Sequence, residues 1–272
     1  MNEDLSNIGF IGAGNMASAL IAGLVKNKYN NSQIFVSSPE EEHLKKLKDN
    51  FSVNVTKDNV EVVKSASTLV LAVKPNVIES VLDELSAYIC EKNLLLISIV
   101  AGYKIASIEK RLNSKSKIIR AMPNTPASIG MGVSALTPNK LVVDEDKAIT
   151  ESVFSSVGLT CWLDESAFDL FTALLSSGPA YIFYLIEALQ QAAKGLNLDE
   201  GITKELITEM IKGSSTLAGL SEDSPSLLRE KVTSPGGVTE KALEVLNERE
   251  VGDSIVEAIL KATEKSKDLG ES

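Results

Sequence analysis

The residues of this 272-residue chain whose types and spacing could do chemistry fall in two places. Near the start, "IGFIGAGNMASAL" (8–20) sets Gly12, Gly14 and Ala17 in a G-x-G-x-x-A spacing. Near the end, "TSPGGVTE" (233–240) packs a proline, two glycines and three hydroxyl residues between helical stretches. In the first, Gly12 permits a tight turn, Gly14 lets a pyrophosphate approach the backbone, and Ala17 lets the following helix pack closely on a sheet. The turn from Ile11 through Gly12, Ala13, Gly14 and Asn15 to Met16 would then line a dinucleotide, its phosphates on unpaired helix N–H groups. The second stretch has two readings, a turn between helices or an anion-binding loop at a helix start.

Other reactive residues are few. His43, the one histidine, sits in the charged run "PEEEHLKKLKDN" and reads as a solvated helix position. Cys90 and Cys161 form no C-x-x-C pair and read as free thiols. One histidine and two separated cysteines argue against a His/Cys metal site, so no metal is expected. Net charge is −10, with no Lys/Arg cluster, which disfavours nucleic acid as a partner. The apolar runs, such as "TLVLAV", are shorter than the ~20 residues a membrane span needs. The acidic start MNEDLSN is no secretory or transit signal, so a cytoplasmic protein is expected.

The elements that must position these residues change character along the chain. "NIGFIG" (7–12), "QIFVS" (33–37), "VNVT" (53–56), "STLVLAV" (67–73), "NLLLISIV" (93–100) and "SKIIRAM" (116–122) suit strands buried on both faces of a parallel sheet. Between them, stripes such as Ala17, Leu20, Ile21 and Leu24 mark helices. The fold class is therefore α/β, a doubly wound, mostly parallel Rossmann-type sheet. "GVSALTP" (132–138) and "GLTCWLD" (158–164) add two edge strands with a helix over 144–156 between them. After Asp164 only helical patterns appear, giving residues 1–164 as a dinucleotide-binding domain and 165–272 as a second, all-helical domain. Several of its helices, "AYIFYLIEALQQAA" for one, are apolar on more than one face and suit burial against a second subunit.

Position at strand ends supplies further cofactor contacts. "FVSSPEEE" places Ser37 and Ser38 where an NAD site carries a carboxylate, the first acid being Glu40. Small hydroxyls admit a 2′-phosphate, but no arginine clamps it, so NADPH is preferred and NADH remains usable. "LAVKP" brings Ala72, Val73, Lys74 and Pro75 to the cofactor's midsection; Lys74 either faces a phosphate or is simply solvated. "IVAG" offers Val100 and Ala101 to a nicotinamide ring, and "RAMPNTP" (120–126) makes a stiff wall.

"GFIGAGNMASAL", "SSP", "AVKP", "RAMPNTP", "SSGPAY" (176–181) and above all "VTSPGGVTEKALEVL" (232–246) together resemble the pyrroline-5-carboxylate reductase family over nearly the whole chain. The resemblance implies reduction of (S)-1-pyrroline-5-carboxylate to L-proline, the last step of proline biosynthesis, at a site between a nucleotide domain and a helical dimerisation domain. It implies a homodimer or higher homo-oligomer through the C-terminal helices. Such a substrate carries a carboxylate and a C=N bond. In the late loop, Gly236 and Gly237 N–H groups and the Ser234 hydroxyl would grip the carboxylate, and Thr239 would orient the imine nitrogen. Family correspondence adds Ser38 and Asn59 at the adenosine phosphate end and Glu222 beside the substrate; Tyr181 packs rather than reacts. Where the family often has "SGSGPAY", this chain has Leu175, Ser176 and Ser177, which puts the local backbone path in question. Two alternatives are a β-hydroxyacid dehydrogenase, disfavoured because no lysine lies mid-helix over 168–193, and a non-catalytic NADP(H)-binding regulator.

Overall fold

The computed structural model describes residues 6–113 and 116–271. Eight strands form one sheet: β1 (Ile8–Ile11), β2 (Ile34–Ser37), β3 (Asn54–Thr56), β4 (Thr68–Leu71), β5 (Leu95–Ser98), β6 (Lys117–Met122), β7 (Gly132–Pro138) and β8 (Gly158–Trp162). Their order is β3-β2-β1-β4-β5-β6-β7-β8, parallel except where β7 runs against β6. The expected strands are present, several a residue or two shorter. Of the two added strands only β8 is an edge, because β7 lies between β6 and β8.

The continuous apolar runs have a direct cause. Along each strand alternate residues enter opposite cores. Phe10, Val70, Ile97 and Ile119 join one core, with Leu20, Ile21 and Leu24 of α1 (Asn15–Lys26). That core also takes Leu44 and Leu47 of α2 (Glu41–Phe51). Ile11, Leu69, Leu71, Leu96 and Ile118 join the other core. It is closed by α3 (Asn59–Ser65), α4 (Ile78–Lys92) and α5 (Ile105–Arg111). Burying each such side chain contributes about 1.5–3 kcal/mol. On the first face α6 (Asp144–Ser155) adds Val153 and Phe154.

The chain divides into two compact units, one running to Ser177 and including Ala262 onward, the other Gly178–Lys261. The stretch "ESAFDLFTALLSS" reads as one helix but is broken. A 3-10 turn (Glu165–Ala167) leads into α7 (Phe168–Phe171), then a π-turn (Thr172–Ser176). Phe168 and Phe171 bury with Ala135 of β7, which ties this stretch to the first unit.

The second unit holds α8 (Gly178–Ala192), α9 (Glu200–Leu220), α10 (Pro225–Lys231), α11 (Val238–Glu248) and the first half of α12 (Val251–Glu271). Within it Thr203 is the one described residue that is buried. Phe183, Tyr184, Leu206, Leu217 and Leu220 are all exposed. Unlike the short apolar runs read from the sequence, residues 165–196 form a helical stretch long and apolar enough, by length and composition, to cross a membrane.

Candidate active site

The nucleotide half lies at the carboxyl ends of β1 and β4, where the chain winds in opposite directions to either side of β1. Gly12 has φ +106°, and a Cβ there would stand 2.5 Å from the Ala72 carbonyl oxygen. Only glycine fits. Gly12 N–H donates to the Ser37 carbonyl and Ala72 N–H to that of Ile11, each at 2.8 Å, so the turn is hung between the ends of β2 and β4. Gly14 differs: its φ is −71° and nothing lies within 4 Å of an added Cβ. It caps α1 without any side-chain hydrogen bond, which leaves the first-turn N–H groups of Asn15, Met16 and Ala17 with no side-chain acceptor. An anionic phosphate suits that end. Ile11, Ala13 and Val100 send their side chains into the cores, so only their backbones are available to a cofactor.

The ribose end is less open than the sequence implies. Ser37 Oγ donates to Asn59 Oδ1 (2.7 Å), and Asn59 Nδ2 donates to Glu84 Oε2 (3.1 Å), so the Asn59 amide is engaged on both sides. Glu40 folds back: Ser38 Oγ donates to its carboxylate at 2.7 Å. That bond, helped by the charges of His43 and Lys74, holds the Glu40 carboxyl below the usual carboxylate range. The missing acid of the strand end is thus supplied from two residues on. Lys74 is exposed and caps a 3-10 turn at Pro75–Val77; Ala72 and Val73 are half-buried and Ala101 exposed.

In the second unit, α11 begins within the late loop. Gly237 is its N-cap, and a Cβ there would meet the Ser234 carbonyl oxygen at 2.8 Å; Gly236 has φ +71°. The two expected donors are already used. Gly236 N–H donates to Glu240 Oε2 (2.7 Å), and Gly237 N–H to the Ser234 carbonyl (2.9 Å). The glycines therefore shape the loop, and the donors left for an anion are the first-turn N–H groups of Val238, Thr239 and Glu240. The hydroxyls of Ser234 and Thr239 bond to nothing else among the described residues. Glu222 is exposed in the turn between α9 and α10.

Comparison with known proteins gives concordant matches at full length. The family described as "Pyrroline-5-carboxylate reductase dimerisation" matches residues 165–269, and "NADP oxidoreductase coenzyme F420-dependent" matches residues 7–102. The pyrroline-5-carboxylate reductase of Pasteurella multocida is 37% identical, with 97% of each chain covered. That of Vibrio alginolyticus is 34% identical, over 96% of this chain and 97% of its own. The chain belongs to the pyrroline-5-carboxylate reductase family. The solved reductase of Coxiella burnetii superposes with a TM-score of 0.91 at 38% identity, covering 99% of this chain and 100% of its own. The Plasmodium falciparum reductase, solved with NADP bound, gives 0.91 at 31% identity over the same shares.

At Leu175–Ser177, where this reductase-family chain departs from the glycine-rich pattern, the π-turn opens the backbone. Ser177 N–H reaches the Thr172 carbonyl at 2.9 Å, and the Leu175 carbonyl accepts from Asn124 Nδ2 at 3.1 Å. Asn124 Oδ1 also accepts from Val133 N–H, so "RAMPNTP" is a cross-linked corner. Sequence reasoning missed a second feature there. Arg120 is 4% exposed and pairs with Glu165 at 2.9 Å. Its signal was present, since an arginine inside the apolar run "KIIRAM" must find a partner if it is buried.

Proposed function

We propose that this chain reduces (S)-1-pyrroline-5-carboxylate to L-proline, with NADPH as preferred reductant and NADH also accepted. The observation that carries the reading is the loop Ser234–Glu240, in which both glycine N–H groups are consumed internally while three first-turn helix N–H groups and two hydroxyls stay free. That set fits a small acid with a polar ring atom. When bound, the reduced nicotinamide supplies a hydride to the imine carbon. The chain's own residues hold the substrate. Val238 and Thr239 N–H groups and the Ser234 hydroxyl take the carboxylate, a helix end contributing about 0.3–1 kcal/mol, up to ~2 when partly buried. Thr239 Oγ1 orients the imine nitrogen, which gains one proton as the carbon gains the hydride. A threonine is too weak an acid to supply that proton unaided. Positioning is therefore its task, and proximity supplies much of the rate.

For the cofactor, Gly12 and Gly14 with Ile11, Ala13, Asn15 and Met16 hold the pyrophosphate. Ser38 and Asn59 take the adenosine end, Ala72–Pro75 the midsection, and Val100 and Ala101 the nicotinamide. Support comes from the open space over Gly14 and the unpaired first turn of α1. Ser38 and Asn59 must exchange their present partners, Glu40 and Glu84, for the cofactor. Glu222 is assigned as a polar neighbour of the substrate.

The exposed apolar faces of α8–α12 pack against a second copy of the chain, and the working enzyme is a cytoplasmic homodimer or a larger ring of dimers. Their match to a dimerisation family supports a protein partner over lipid for residues 165–196. The test is loss of reduced-nicotinamide absorbance with pyrroline-5-carboxylate, beside a 3-hydroxy acid with NADP⁺. Turnover with the imine alone is expected. Turnover with the hydroxy acid would make the chain a dehydrogenase, and turnover with neither would leave a regulator.

A further inference from the structure

We propose that Glu165 is a positioning residue for hydride transfer, fixing through one carboxylate oxygen the loop that carries Val100 and Ala101. The proposal rests on the reductase reading above, which assigns that loop to the nicotinamide. The loop leaves the carboxyl end of β5, turns at Gly102 (φ +72°) and enters α5 at Ile105. Ile99 N–H donates to the Leu71 carbonyl at 3.1 Å, Val100 is buried and half-buried Tyr103 accepts from Arg111 Nε at 3.2 Å, while Ala101 between them is exposed. Its far end is held from outside. Ile105 N–H donates to Glu165 Oε1 at 2.9 Å.

The same oxygen accepts from Arg120 Nη1, also at 2.9 Å. Arg120 is itself immobilised, buried in the sheet with its guanidinium carbon 4.8 Å from the centroid of the Phe168 ring. Phe168 is fully buried. Glu165 thus transmits the fixed position of β6 and α7 to the first N–H of α5. On the other side, Leu269 of α12 stands 3.4–3.6 Å from where a Cβ on Gly102 would be. An ion pair kept only for stability would have no need of the Ile105 N–H. One oxygen serving both donors ties the loop to Arg120 through the acceptor atom itself, which a glutamine at this position would keep.

The test separates loop anchoring from packing and from charge. Ile105→Pro deletes the donor and nothing else polar. Ile105 is the first residue of α5, where proline is tolerated, and Lys104 already has the extended backbone (φ −75°, ψ 153°) required before proline. Ile105→Ala keeps the donor and removes the buried side chain, so it reports lost packing. Glu165→Gln keeps an acceptor oxygen and removes the charge. Ile105→Pro is expected to lower kcat and raise the KM for NADPH, each about tenfold, the scale of a sub-ångström misplacement. The primary isotope effect from deuterium at nicotinamide C4 should increase with it. Ile105→Ala and Glu165→Gln should lower the melting temperature yet stay within about threefold of wild-type kinetics. Equal impairment of the Pro and Ala variants, wild-type kinetics in Ile105→Pro, or a tenfold loss in Glu165→Gln would each overturn the proposal. If the wild-type chain fails to reduce the imine, the reductase reading falls instead. NADPH affinity, followed by nucleotide fluorescence, then decides: about tenfold weaker binding for Pro than for Ala upholds the anchor, and equal binding removes it.

Discussion

The two units of this chain solve the burial problem in opposite ways. In the first, every strand but the edge strands β3 and β8 sends most of its side chains into one core or the other, and Phe10, Phe154 and Phe168 are completely buried. In the second, apolar helices of similar composition bury almost nothing within the chain, and large side chains such as Leu220 stay 82% exposed. A fold with no interior of its own cannot offset the conformational entropy of ordering its helices. The difference teaches that the sheet unit is specified by this chain alone, whereas the loop Ser234–Glu240 belongs to a unit whose apolar surface is left for a partner, in line with its match to a dimerisation family. Cofactor binding and substrate binding should therefore fail separately.

The largest effect should come from charging the helical surface. Leu206→Glu with Met210→Glu places two carboxylates one turn apart on α9, where both residues are now exposed. Neither residue is in an ion pair, and the one hydrogen bond touched is the weak, exposed one from Ser214 Oγ to Met210 Sδ at 4.0 Å within α9, so a large effect reports assembly. Sedimentation velocity should show monomers, and imine reduction should fall at least about 100-fold, since desolvating unpaired charges at an interface costs several kcal/mol. NADPH binding should survive. A fully active monomer would break the comparison outright.

Next in size is Thr239→Ala, which removes the hydroxyl without disturbing the Gly236–Glu240 and Gly237–Ser234 bonds that shape the loop. It should lower kcat/KM about 10- to 100-fold, the worth of a hydrogen bond of roughly 1.5–3 kcal/mol to a charged group. Unchanged kinetics would take Thr239 out of the mechanism. On the cofactor side the contrast is between two glycines. Gly14→Val should weaken NADPH binding about tenfold while leaving the melting temperature near wild type, because nothing of the chain occupies that space. Gly12→Val should instead cost the fold several kcal/mol, through its positive φ and the Ala72 carbonyl. Equal melting temperatures for the two would contradict the geometry.

These contrasts follow how legibility was distributed in the sequence. Strands and helices were readable because apolar periodicity is a local property, and both glycine turns were readable because their residue types carry their geometry. Three features were not. The π-turn at Thr172–Ser176 depends on Asn124, distant in sequence, taking the carbonyl that the turn releases. The pairing of the Gly236 and Gly237 N–H groups depends on which oxygen Glu240 and Ser234 present, and residue type leaves that open. The clamp at Ile105 joins β6, α5 and the 3-10 turn before α7 through a single atom of Glu165. The first and third are side-chain bonds between elements far apart in sequence, whereas pattern reading sees one element at a time; the second is local but turns on the rotamer and backbone path that residue type leaves open.

The smallest effect sharpens the comparison inside the nucleotide unit. Glu40 accepts from Ser38 in the free chain, so a cofactor that takes Ser38 must displace a carboxylate from beside the proposed 2′ position, and this moderates the NADPH preference. A fixed negative charge there repels a 2′-phosphate and accepts a bond from a 2′-hydroxyl. Glu40→Gln should therefore raise kcat/KM for NADPH several-fold and leave that for NADH level or slightly lower. The pH dependence has a definite sign. The Ser38 bond holds the Glu40 carboxyl below its ordinary 4.5, so the charge is complete at neutral pH and persists below that value. Any stability the bond contributes is present above the unfolded pKa and is lost only as pH falls through the lower folded one. The difference in NADPH-to-NADH preference between the wild type and Glu40→Gln should accordingly stay constant from neutral pH down to about 5, since the cofactor's own 2′-phosphate titrates alike in both. A difference between the two proteins that changes between about pH 5 and 7 would mean that Glu40 does not set the charge at that position.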